Sequence, residues 1–320
     1  MKARVFVVAL GAALGLSTAA SAQTYTFGAN PQGSIFYTTA AAISKVMVEK
    51  TGLQFRVAPY SGSSTYIPLV DKGEVAFGMS NGAEYAFAYD GKELFNSEHK
   101  NLRSVLTAFP TNSGFAVKAD SPMKTVADLK GKKVVGGYSS GLIFNYLQNA
   151  ALATAGLSQK DFEVVPSPNF VAGVKVFMAG RADAGYIPLN SGIGKQAMAQ
   201  IPGGWKYLTF DGSEDATKKM AAVLPTSRPG KVSPGKLAPG VVEDPTYMVQ
   251  IDFTVFTGAH VPDDVVYKVV KTVYENKPDL VKALGAFSRF NPKGMARAHP
   301  VPYHPGAIKA YKELGMWPPK

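Results

Sequence analysis

A short pattern of residues occurs twice in this sequence, first as Lys72-Gly73-Glu74-Val75-Ala76-Phe77-Gly78 and again as Ala179-Gly180-Arg181-Ala182-Asp183-Ala184-Gly185. Phe55-Arg56-Val57-Ala58-Pro59 and Phe162-Glu163-Val164-Val165-Pro166 are separated by the same offset in the chain. Gly33-Ser34-Ile35-Phe36 and Gly141-Leu142-Ile143-Phe144 match at an offset that differs by a single position. Three matches in the same order indicate an internal duplication.

Each copy of the duplication alternates strands with helices. In the first copy we predict strands at Tyr25–Gly28, Phe55–Ala58 and Val75–Met79, and helices at Ile35–Lys50 and Thr65–Lys72. In the second we predict strands at Lys133–Gly136, Glu163–Val165 and Ala182–Tyr186, and helices at Gly141–Ala155 and Val171–Ala179. Such alternation favours parallel sheets covered on both faces. The predicted fold is therefore α/β with two lobes, each a mainly parallel sheet flanked by helices, and a ligand cleft between the lobes.

The region between the copies predicts crossings from one lobe to the other. Leu102–Ala108 and Gly114–Lys118 have the composition of strands on either side of Phe109–Ser113, and Gln250–Thr257 alternates as a return strand. We therefore expect residues 23–111 plus 254–320 to form lobe 1 and residues 112–253 to form lobe 2.

The last third of the chain contains one predicted loop and three predicted helices. Leu224–Tyr247 is rich in Pro and Gly, which is typical of a loop. Helices are predicted at Val261–Asn276, Pro278–Phe287 and Gly306–Leu314. We expect these helices to pack back on lobe 1.

The N-terminal segment has the pattern of a secretory signal peptide. Lys2 and Arg4 precede an apolar run at Val5–Leu16, and Ala20-Ser21-Ala22 resembles a cleavage site. We expect cleavage after Ala22, no lipid anchor because no cysteine follows, and a periplasmic mature protein. The alternative is a buried N-terminal helix or strand.

Composition narrows the function classes. The 320 residues are 46% hydrophobic and 18% charged, enough for about two domains with a sizeable core. There is no cysteine, which excludes disulfides, thiolate nucleophiles and cysteine-metal sites. The formal charge of +11 is compatible with nucleic acid, anionic lipid or anionic ligands. Because such a charge is also common in exported proteins, we do not expect a nucleic-acid partner.

Catalytic motifs are missing from the sequence. It has no G-x-S-x-G, Walker or H-E-x-x-H motif, and its four histidines, His99, His260, His299 and His304, lack metal-ligand spacing. We therefore expect no catalytic residue, no metal and no cofactor. An exported α/β enzyme remains the alternative.

The turns at the predicted strand ends are rich in Gly, Ser, Asn and Tyr. They are Asn30–Ser34, Ser61–Thr65, Ser80-Asn81 and Ser139-Ser140-Gly141. In open α/β sheets ligands bind beyond the carboxyl ends of the strands, and helix N-termini favour anions. The turns predict a small acidic ligand held between the lobes. The alternative is that they only cap helices.

These features together resemble the TAXI family, the solute receptors of a class of TRAP transporters. The resemblance is carried by Phe27-Gly28, Gly33-Ser34, Tyr60-Ser61-Gly62-Ser63-Ser64, Gly73-Glu74-Val75-Ala76, Val126–Val134, Tyr138-Ser139-Ser140-Gly141, Gly180–Ala184 and Val261–Tyr267. It covers nearly the whole chain after Ala22. The first loop departs from the family pattern, because Pro31-Gln32 stand where the family has more glycine.

The resemblance implies a type II binding-protein fold and delivery of the ligand to a TRAP-type inner-membrane permease driven by an ion gradient. It implies small carboxylates such as glutamate and 2-oxoglutarate as ligands, held by hinge closure of the lobes. Separately, we expect a monomer. The matched ligand-binding residues are Gly33, Ser34, Tyr37, Ser63, Ser64, Asn81, Ser139, Ser140, Gly141 and Tyr186.

Two questions stay open at the level of sequence. No arginine lies in the matched turns, which favours a site of backbone groups and hydroxyls, whereas the nearby tyrosines would suit an aromatic or larger acid. A receptor of an ABC transporter or of a sensor kinase on the same fold is the main functional alternative.

Overall fold

The computed structural model describes residues 23–319. The predicted signal peptide, Met1 to Ala22, lies outside the described residues. Within them, the first part of the chain forms, in order, β1 (Thr24–Ala29), α1 (Ile35–Thr51), β2 (Gln54–Pro59), α2 (Ser63–Asp71), β3 (Phe77–Asn81), α3 (Gly82–Asp90) and β4 (Leu102–Lys118). The middle part forms β5 (Lys133–Gly136), α4 (Ile143–Thr154), β6 (Glu163–Pro166), α5 (Phe170–Met178), β7 (Ala184–Pro188), α6 (Gly192–Gln200), β8 (Trp205–Tyr207) and α7 (Glu214–Val223). The last part forms β9 (Arg228–Val232), β10 (Thr246–Gly258), α8 (Asp263–Glu275), α9 (Lys277–Ala283) and α10 (Pro305–Glu313).

The duplicated topology predicted from the sequence is present. The strands run in the order β2-β1-β3-β10-β4-β7-β5-β6, with β8 beside β4 and β9 beside β10. The orders β2-β1-β3 and β6-β5-β7 are equivalent, and the strands within each trio are parallel. β3 begins at Phe77 and β7 at Ala184, the positions that correspond in the repeated sequence pattern. The fold class is therefore α/β with two lobes, as predicted.

Two long strands join the lobes. β4 and β10 pair antiparallel from Leu102 opposite Gly258 to Ser113 opposite Val249. β10 also pairs with β3 of lobe 1, and β4 also pairs with β7 of lobe 2. The sheet is thus continuous, and the predicted lobe boundaries at 111/112 and 253/254 fall inside these two crossing strands.

The prediction of two strands separated by Phe109–Ser113 is wrong, because β4 runs through this segment. Pro110 lacks an N–H group and lies opposite Asp252, next to a shift in the β4–β10 register. The polar residues that follow, Thr111 and Ser113, are buried within the protein instead of facing solvent in a loop. Their polarity is a feature of the interior between the lobes and not the mark of a turn.

The prediction of a loop over Leu224–Tyr247 is wrong in part, because this segment contains β9. Pro229 and Gly230 are unusual in a strand, but β9 pairs only with β10, and an edge strand tolerates both. Pro278–Phe287, predicted as one helix, is divided between α9 and a 3₁₀ segment at Gly285–Arg289.

The C-terminal helices pack on lobe 1, as expected. Val265, Val266, Val269, Val270 and Val273 form the buried face of α8, which lies against α1 and α10. Tyr311 of α10 is fully buried and donates a hydrogen bond to the carbonyl oxygen of Val105 in β4 at 2.7 Å. Among residues 23–319, no helix combines the length and the apolar character that a bilayer crossing requires.

Candidate ligand-binding cleft

A small cavity lies between the lobes, where β1 and β3 end and where α4 and α5 begin. Its volume is about 20 Å³, room for about one water molecule. The polar side chains that line it are Asn30, Ser34, Asn81, Thr111 and Ser113. The apolar side chains are Ile35, Phe36, Ile143, Phe144, Leu147, Phe170, Pro188, Ile251 and Phe253. The structure therefore has the lobes closed on each other over a mixed polar and apolar interior.

Four helices begin at the cavity, two from each lobe. The first residues of α1, α4 and α5, which are Ile35, Ile143 and Phe170, line it, and so does Asn81, the N-cap of α3. The first N–H groups of a helix have no intrahelical acceptor, and the N-terminal end of its dipole is positive. The backbone alone therefore makes this interior favourable for an anion.

Two of the polar N-caps, both in lobe 1, illustrate how the sequence sets these helix starts. Ser34 accepts a hydrogen bond on Oγ from the N–H of Tyr37 at 3.0 Å. Asn81 accepts one on Oδ1 from the N–H of Glu84 at 3.0 Å. Each cap satisfies one N–H of the first turn. α4 differs, because its N-cap is Leu142, whose side chain makes no cap hydrogen bond.

Two buried side chains in the cavity have polar atoms without a partner. Asn30 and Thr111 are 3% and 2% exposed, and neither Oδ1 of Asn30 nor Oγ1 of Thr111 has a hydrogen-bond partner among the described residues. An unpaired buried polar group costs about 1–3 kcal/mol. By contrast, Ser113 Oγ pairs with the hydroxyl of Tyr186 at 2.9 Å. Thr111 Oγ1 can thus bind a ligand as donor or acceptor, whereas Asn30 Oδ1 can only accept and the amide Nδ2 of Asn30 can only donate.

None of the described residues that line the cavity is ionisable. The ionisable group nearest in sequence to the polar lining is Glu84, in the first turn of α3 after Asn81, and it is fully buried. Its Oε2 accepts hydrogen bonds from Ser63 Oγ and Ser80 Oγ, each at 2.6 Å, while Oε1 has no partner among residues 23–319. Burial raises the pKa of Glu84 to about 7 in spite of the two hydroxyls that stabilise its charged form. Burial therefore favours the protonated form of this carboxyl.

The structure brings some of the predicted site residues to the cavity and others to the contact between lobes. Ser34 and Asn81 line the cavity, and Tyr186 reaches it only through Ser113. Gly33 and Ser64 instead touch lobe 2.

These lobe contacts are short and specific. Ser64 Oγ donates to the carbonyl oxygen of Ser140 at 2.9 Å, and the N–H of Ile193 donates to the carbonyl oxygen of Gly33 at 3.0 Å. A Cβ atom at Gly62 would collide with the same Ser140 carbonyl, so the approach of the lobes here requires glycine. Gly33, Ser64 and Ser140 hold the closed arrangement together instead of lining the cavity.

The remaining predicted residues do not line the cavity. Ser63 binds Glu84 behind it, and the N–H of Gly141 points to the carbonyl oxygen of Pro168. Tyr37 is half-buried next to Gln32, and Ser139 is exposed in an outer groove. Because α4 begins only at Ile143, the Ser139–Gly141 turn ends before the helix start that reaches the cavity.

The sequence did carry a signal for the apolar part of the lining that the prediction of site residues did not use. Ile35-Phe36 and Ile143-Phe144 correspond in the duplication, and all four residues line the cavity. Asn30 lay in a turn recognised as part of the site, but it was not chosen. Thr111 and Ser113 were not predicted as site residues, because the segment Phe109–Ser113 was predicted to separate two strands.

The fold with this interlobe cavity is that of the two-lobe periplasmic solute-binding proteins. A solved structure described as a periplasmic transporter is 15% identical to this chain, with a TM-score of 0.56 over 85% of this chain and 89% of that one. PhnD1 from Prochlorococcus marinus in complex with methylphosphonate is 13% identical, with a TM-score of 0.54 over 91% and 98%. The alkanesulfonate-binding protein SsuA from Xanthomonas axonopodis pv. citri bound to MOPS is 14% identical, with a TM-score of 0.53 over 91% and 90%.

The family assignment is more specific than the fold. The chain belongs to the NMT1-like family, whose model matches residues 27–315. The match extends from β1 to the end of α10 and so includes both lobes and both crossing strands.

Proposed function

We propose that this protein is a periplasmic solute receptor of the TAXI type, which captures a small organic acid by closing its lobes and delivers it to a TRAP-type permease. Residues 23–111 plus 254–320 would form lobe 1, and residues 112–253 would form the other lobe. The solute-binding fold, the family membership and the interlobe cavity support the proposal.

One observation carries the ligand assignment: four helix N-termini meet in a cavity that also holds two unpaired buried side chains, Asn30 and Thr111. A carboxylate would accept hydrogen bonds from the first N–H groups of these helices, from Thr111 Oγ1 and from the amide Nδ2 of Asn30. No lysine or arginine is needed, because the helix dipoles and N–H donors supply the favourable potential.

The apolar lining narrows the acid further. A dicarboxylate such as 2-oxoglutarate, or an amino acid such as glutamate, carries a second charged group, and none of the described lining residues is an ion that would pair with it. Phe144 and Phe170 stack with their ring centroids 4.4 Å apart and form an apolar wall. We therefore expect a monocarboxylate with a compact apolar body, aliphatic or aromatic, to bind better than glutamate or 2-oxoglutarate.

Entry of any such acid requires the lobes to open. The cavity of about 20 Å³ is smaller than the smallest organic acid, and the Ser64–Ser140 and Gly33–Ile193 hydrogen bonds close it. Rotation about β4 and β10 would break these two contacts while leaving both lobe cores intact. A bound acid would then be enclosed by reclosure, with the closed surface recognised by the permease.

Sulfonates and phosphonates are the second candidate ligands. PhnD1 was solved with methylphosphonate and SsuA with MOPS, each of which combines an oxyanion with an organic body. A cavity with helix N-termini and an apolar wall suits that combination as well. Under this alternative the transporter partner would be of the ABC type.

Catalysis is disfavoured by the same lining. General acid–base or nucleophilic chemistry requires a titratable or activated group beside the substrate, and none of the described residues around the cavity is ionisable. Binding without turnover is the function that this set of side chains favours.

The test is native mass spectrometry of the chain from Gln23 onward, purified without added ligand, before and after denaturing release. We expect an intact monocarboxylate in stoichiometric amount. Released sulfonate or phosphonate would replace the carboxylate proposal with the second candidate, and a chemically altered acid would argue for an enzyme.

If the protein is purified empty, its unfolding temperature is measured with panels of monocarboxylates, dicarboxylates, sulfonates and phosphonates. Stabilisation by monocarboxylates alone supports the proposal. Small-angle scattering then measures whether the ligand reduces the radius of gyration, and an unchanged radius with a saturating ligand would contradict lobe closure.

A further inference from the structure

A second pocket lies on the opposite face of the two crossing strands. Thr111 and Ser113 of β4 line the interlobe cavity, whereas the alternate residues Pro110 and Asn112 line the second pocket. On β10, Ile251 and Phe253 line the cavity and Gln250 lines the pocket. Because successive side chains of a strand point to opposite faces, the two sites are separated by the strands themselves. The pocket has a volume of about 390 Å³, the size of an ordinary small-molecule site.

The walls of the pocket come from both lobes. Lobe 2 contributes Asn190 after β7, Lys195 of α6 and the segment that begins at Lys231 in β9. Lobe 1 contributes the 3₁₀ segment Gly285–Arg289. A molecule bound here would therefore contact the two lobes and the crossing strands at once.

All the ionisable side chains that line the pocket are cationic. Its ionisable lining residues are Lys195, Lys231 and Arg289, and none of the described lining residues is acidic. No carboxylate among residues 23–319 lies within 4 Å of the charged nitrogens of these three side chains. Lys195 and Lys231 are exposed and Arg289 is half-buried, and an anion bound among them would reduce the repulsion between their charges.

Arg289 is the least exposed of the three cationic side chains. Its guanidinium carbon lies 5.6 Å from the centre of the Phe109 ring, and its Nη2 is buried with no hydrogen-bond partner among the described residues. A buried guanidinium N–H without an acceptor is costly, and guanidinium groups match oxyanions in a bidentate geometry. A guanidinium in the wall of the pocket is therefore suited to bind an oxyanion.

Two arginines next to the pocket, on the same side of β10, form ion pairs with an aspartate. The pocket differs from this neighbouring surface because its cations have no such partner among the described residues. Asp252 accepts hydrogen bonds from Arg228 at 2.9 Å and from Arg297 at 2.8 Å. Gln250 links this pair to the floor of the pocket, since it accepts from Arg228 at 2.9 Å and donates to Asn112 at 3.2 Å. The cations that line the pocket have no such acidic partner in the part of the chain that the structure describes.

We infer that this pocket is a second binding site, separate from the interlobe cavity, for a small multivalent anion such as phosphate or a polycarboxylate. Arg289 binds the anion from lobe 1, Lys195 and Lys231 bind it from lobe 2, and the amides of Asn112 and Gln250 line the floor. Because rotation about β4 and β10 moves these walls relative to each other, the anion stabilises one arrangement of the lobes. Its affinity and that of the cavity ligand are therefore coupled, each changing the other by the same factor.

The experiment is isothermal titration of the protein with inorganic phosphate and, separately, with citrate, at constant ionic strength set with sodium chloride. We expect saturable binding of one anion per chain. The double variant Lys195→Met plus Lys231→Met should weaken it by about tenfold or more, since two charged contacts are lost. The matched control is Lys160→Met plus Lys175→Met, two exposed lysines of lobe 2 outside the pocket, which should leave the affinity unchanged.

Arg289→Lys provides a second variant that keeps the charge and removes the planar fork. We expect it to fold and to bind phosphate several-fold more weakly. Asn30→Leu, in the interlobe cavity, should retain phosphate binding, so loss of the cavity ligand and loss of this site are distinguishable. Absence of saturable binding up to about 10 mM, well above the range of specific sites, or equal weakening by the control pair, would overturn the inference.

Discussion

The two lobes have the same chain path but contribute different chemistry to the cavity between them. Lobe 1 supplies Asn30, Ser34 and Asn81 from its helix starts and strand ends. Asn81 corresponds to Pro188 in the duplication, and outside the crossing strands lobe 2 lines the cavity with apolar side chains. The duplication thus keeps the backbone positions while the side chains have diverged, so that one lobe suits a polar group and the other an apolar body.

The starts of the equivalent helices α1 and α4 also differ. α1 of lobe 1 is capped by Ser34, whereas its counterpart α4 begins after Leu142 without a side-chain cap. In α4, the N–H groups of Phe144 and Asn145 donate to the carbonyl oxygens of Gly141 and Leu142 at 3.0 Å each, so the backbone closes this first turn in place of a side chain. The apolar lobe would contribute to anion binding through its backbone, and the polar lobe through backbone and side chains.

The largest expected effect concerns Glu84, the buried carboxyl behind the polar lobe. Its pKa is about 7 in the folded protein against an ordinary value of 4.5, so the folded state holds the proton more tightly than the unfolded state. The stability gained from the protonated carboxyl is fully present below pH 4.5 and is lost as the pH rises to about 7. The difference is about 3 kcal/mol.

Glu84→Gln should remove this dependence while keeping acceptors for Ser63 and Ser80. Between pH 5 and 8, the free energy of unfolding of the unsubstituted protein should fall by about 3 kcal/mol relative to the variant, measured by urea denaturation. His299, whose pKa burial lowers to about 4, acts in the opposite sense below its ordinary pKa and is common to both proteins. Glu74→Gln, at an exposed turn, is the control. Parallel pH curves for Glu84→Gln and the unsubstituted protein would refute the prediction.

The next largest effect is expected from removing a polar side chain that lobe 1 contributes to the cavity. Asn30→Leu removes an unpaired buried amide, and we expect it to weaken binding of the cavity ligand about 30-fold, equivalent to about 2 kcal/mol. Folding stability should stay the same or increase, because the unsatisfied oxygen is removed. Calorimetric titration measures the affinity, and Asn149→Leu on the outer side of α4 is the matched control. Unchanged affinity would mean that Asn30 does not contact the ligand.

A smaller effect is expected in the apolar lobe. Phe144→Leu removes one ring of the Phe144–Phe170 stack and should weaken binding of a compact acid about tenfold while improving the relative affinity of bulkier acids. Phe162→Leu, a buried residue of the same lobe outside the cavity, controls for loss of stability. If both variants change the ligand preference equally, the apolar wall does not determine specificity.

The smallest effect tests the contact between the lobes. Ser64→Ala removes the hydrogen bond to the Ser140 carbonyl, and we expect an affinity loss of about fivefold with an unchanged unfolding temperature of the empty protein. The exposed Ser61→Ala is the control. Scattering should show less compaction at a given ligand concentration. A variant that closes and binds like the unsubstituted protein would show that this hydrogen bond does not contribute to closure.

The sequence was sufficient for the parts of the fold in which local patterns agree with tertiary structure. The alternating strands and helices of both copies, and the apolar face of α8, repeat with the periods that packing requires. β4 was not predicted as one strand, because Pro110 and the polar residues after it have the composition of a turn. Whether a polar residue faces water or a buried cavity depends on the other lobe, which is distant in the chain.

The candidate site was predicted less completely for a similar reason. Ser34 and Asn81 were identified because polar helix caps at strand ends have a local signature. Phe144, Phe170 and Phe253 carry no such signature, since a phenylalanine in a cavity and one in a core occur in the same patterns. Ser139 and Ser64 belong to similar turns, but only the three-dimensional path separates an exposed hydroxyl from one that joins the lobes.

The chain returns to lobe 1 after it has formed lobe 2, and this affects the order in which the two lobes can fold. β1, β2 and β3 occupy the first third of the sequence, yet β10 completes their sheet, and α8 and α10 cover α1 and β4. Tyr311 donates its hydrogen bond to Val105 of β4, which lies 206 residues earlier in the chain. Because the chain is made from its N-terminus, the apolar surface of the earliest strands is covered only after the last helices are available. The strands β5, β6 and β7 of lobe 2 follow one another closely in the chain, so most of lobe 2 is synthesised over a short stretch. Lobe 1 is therefore started first but completed last.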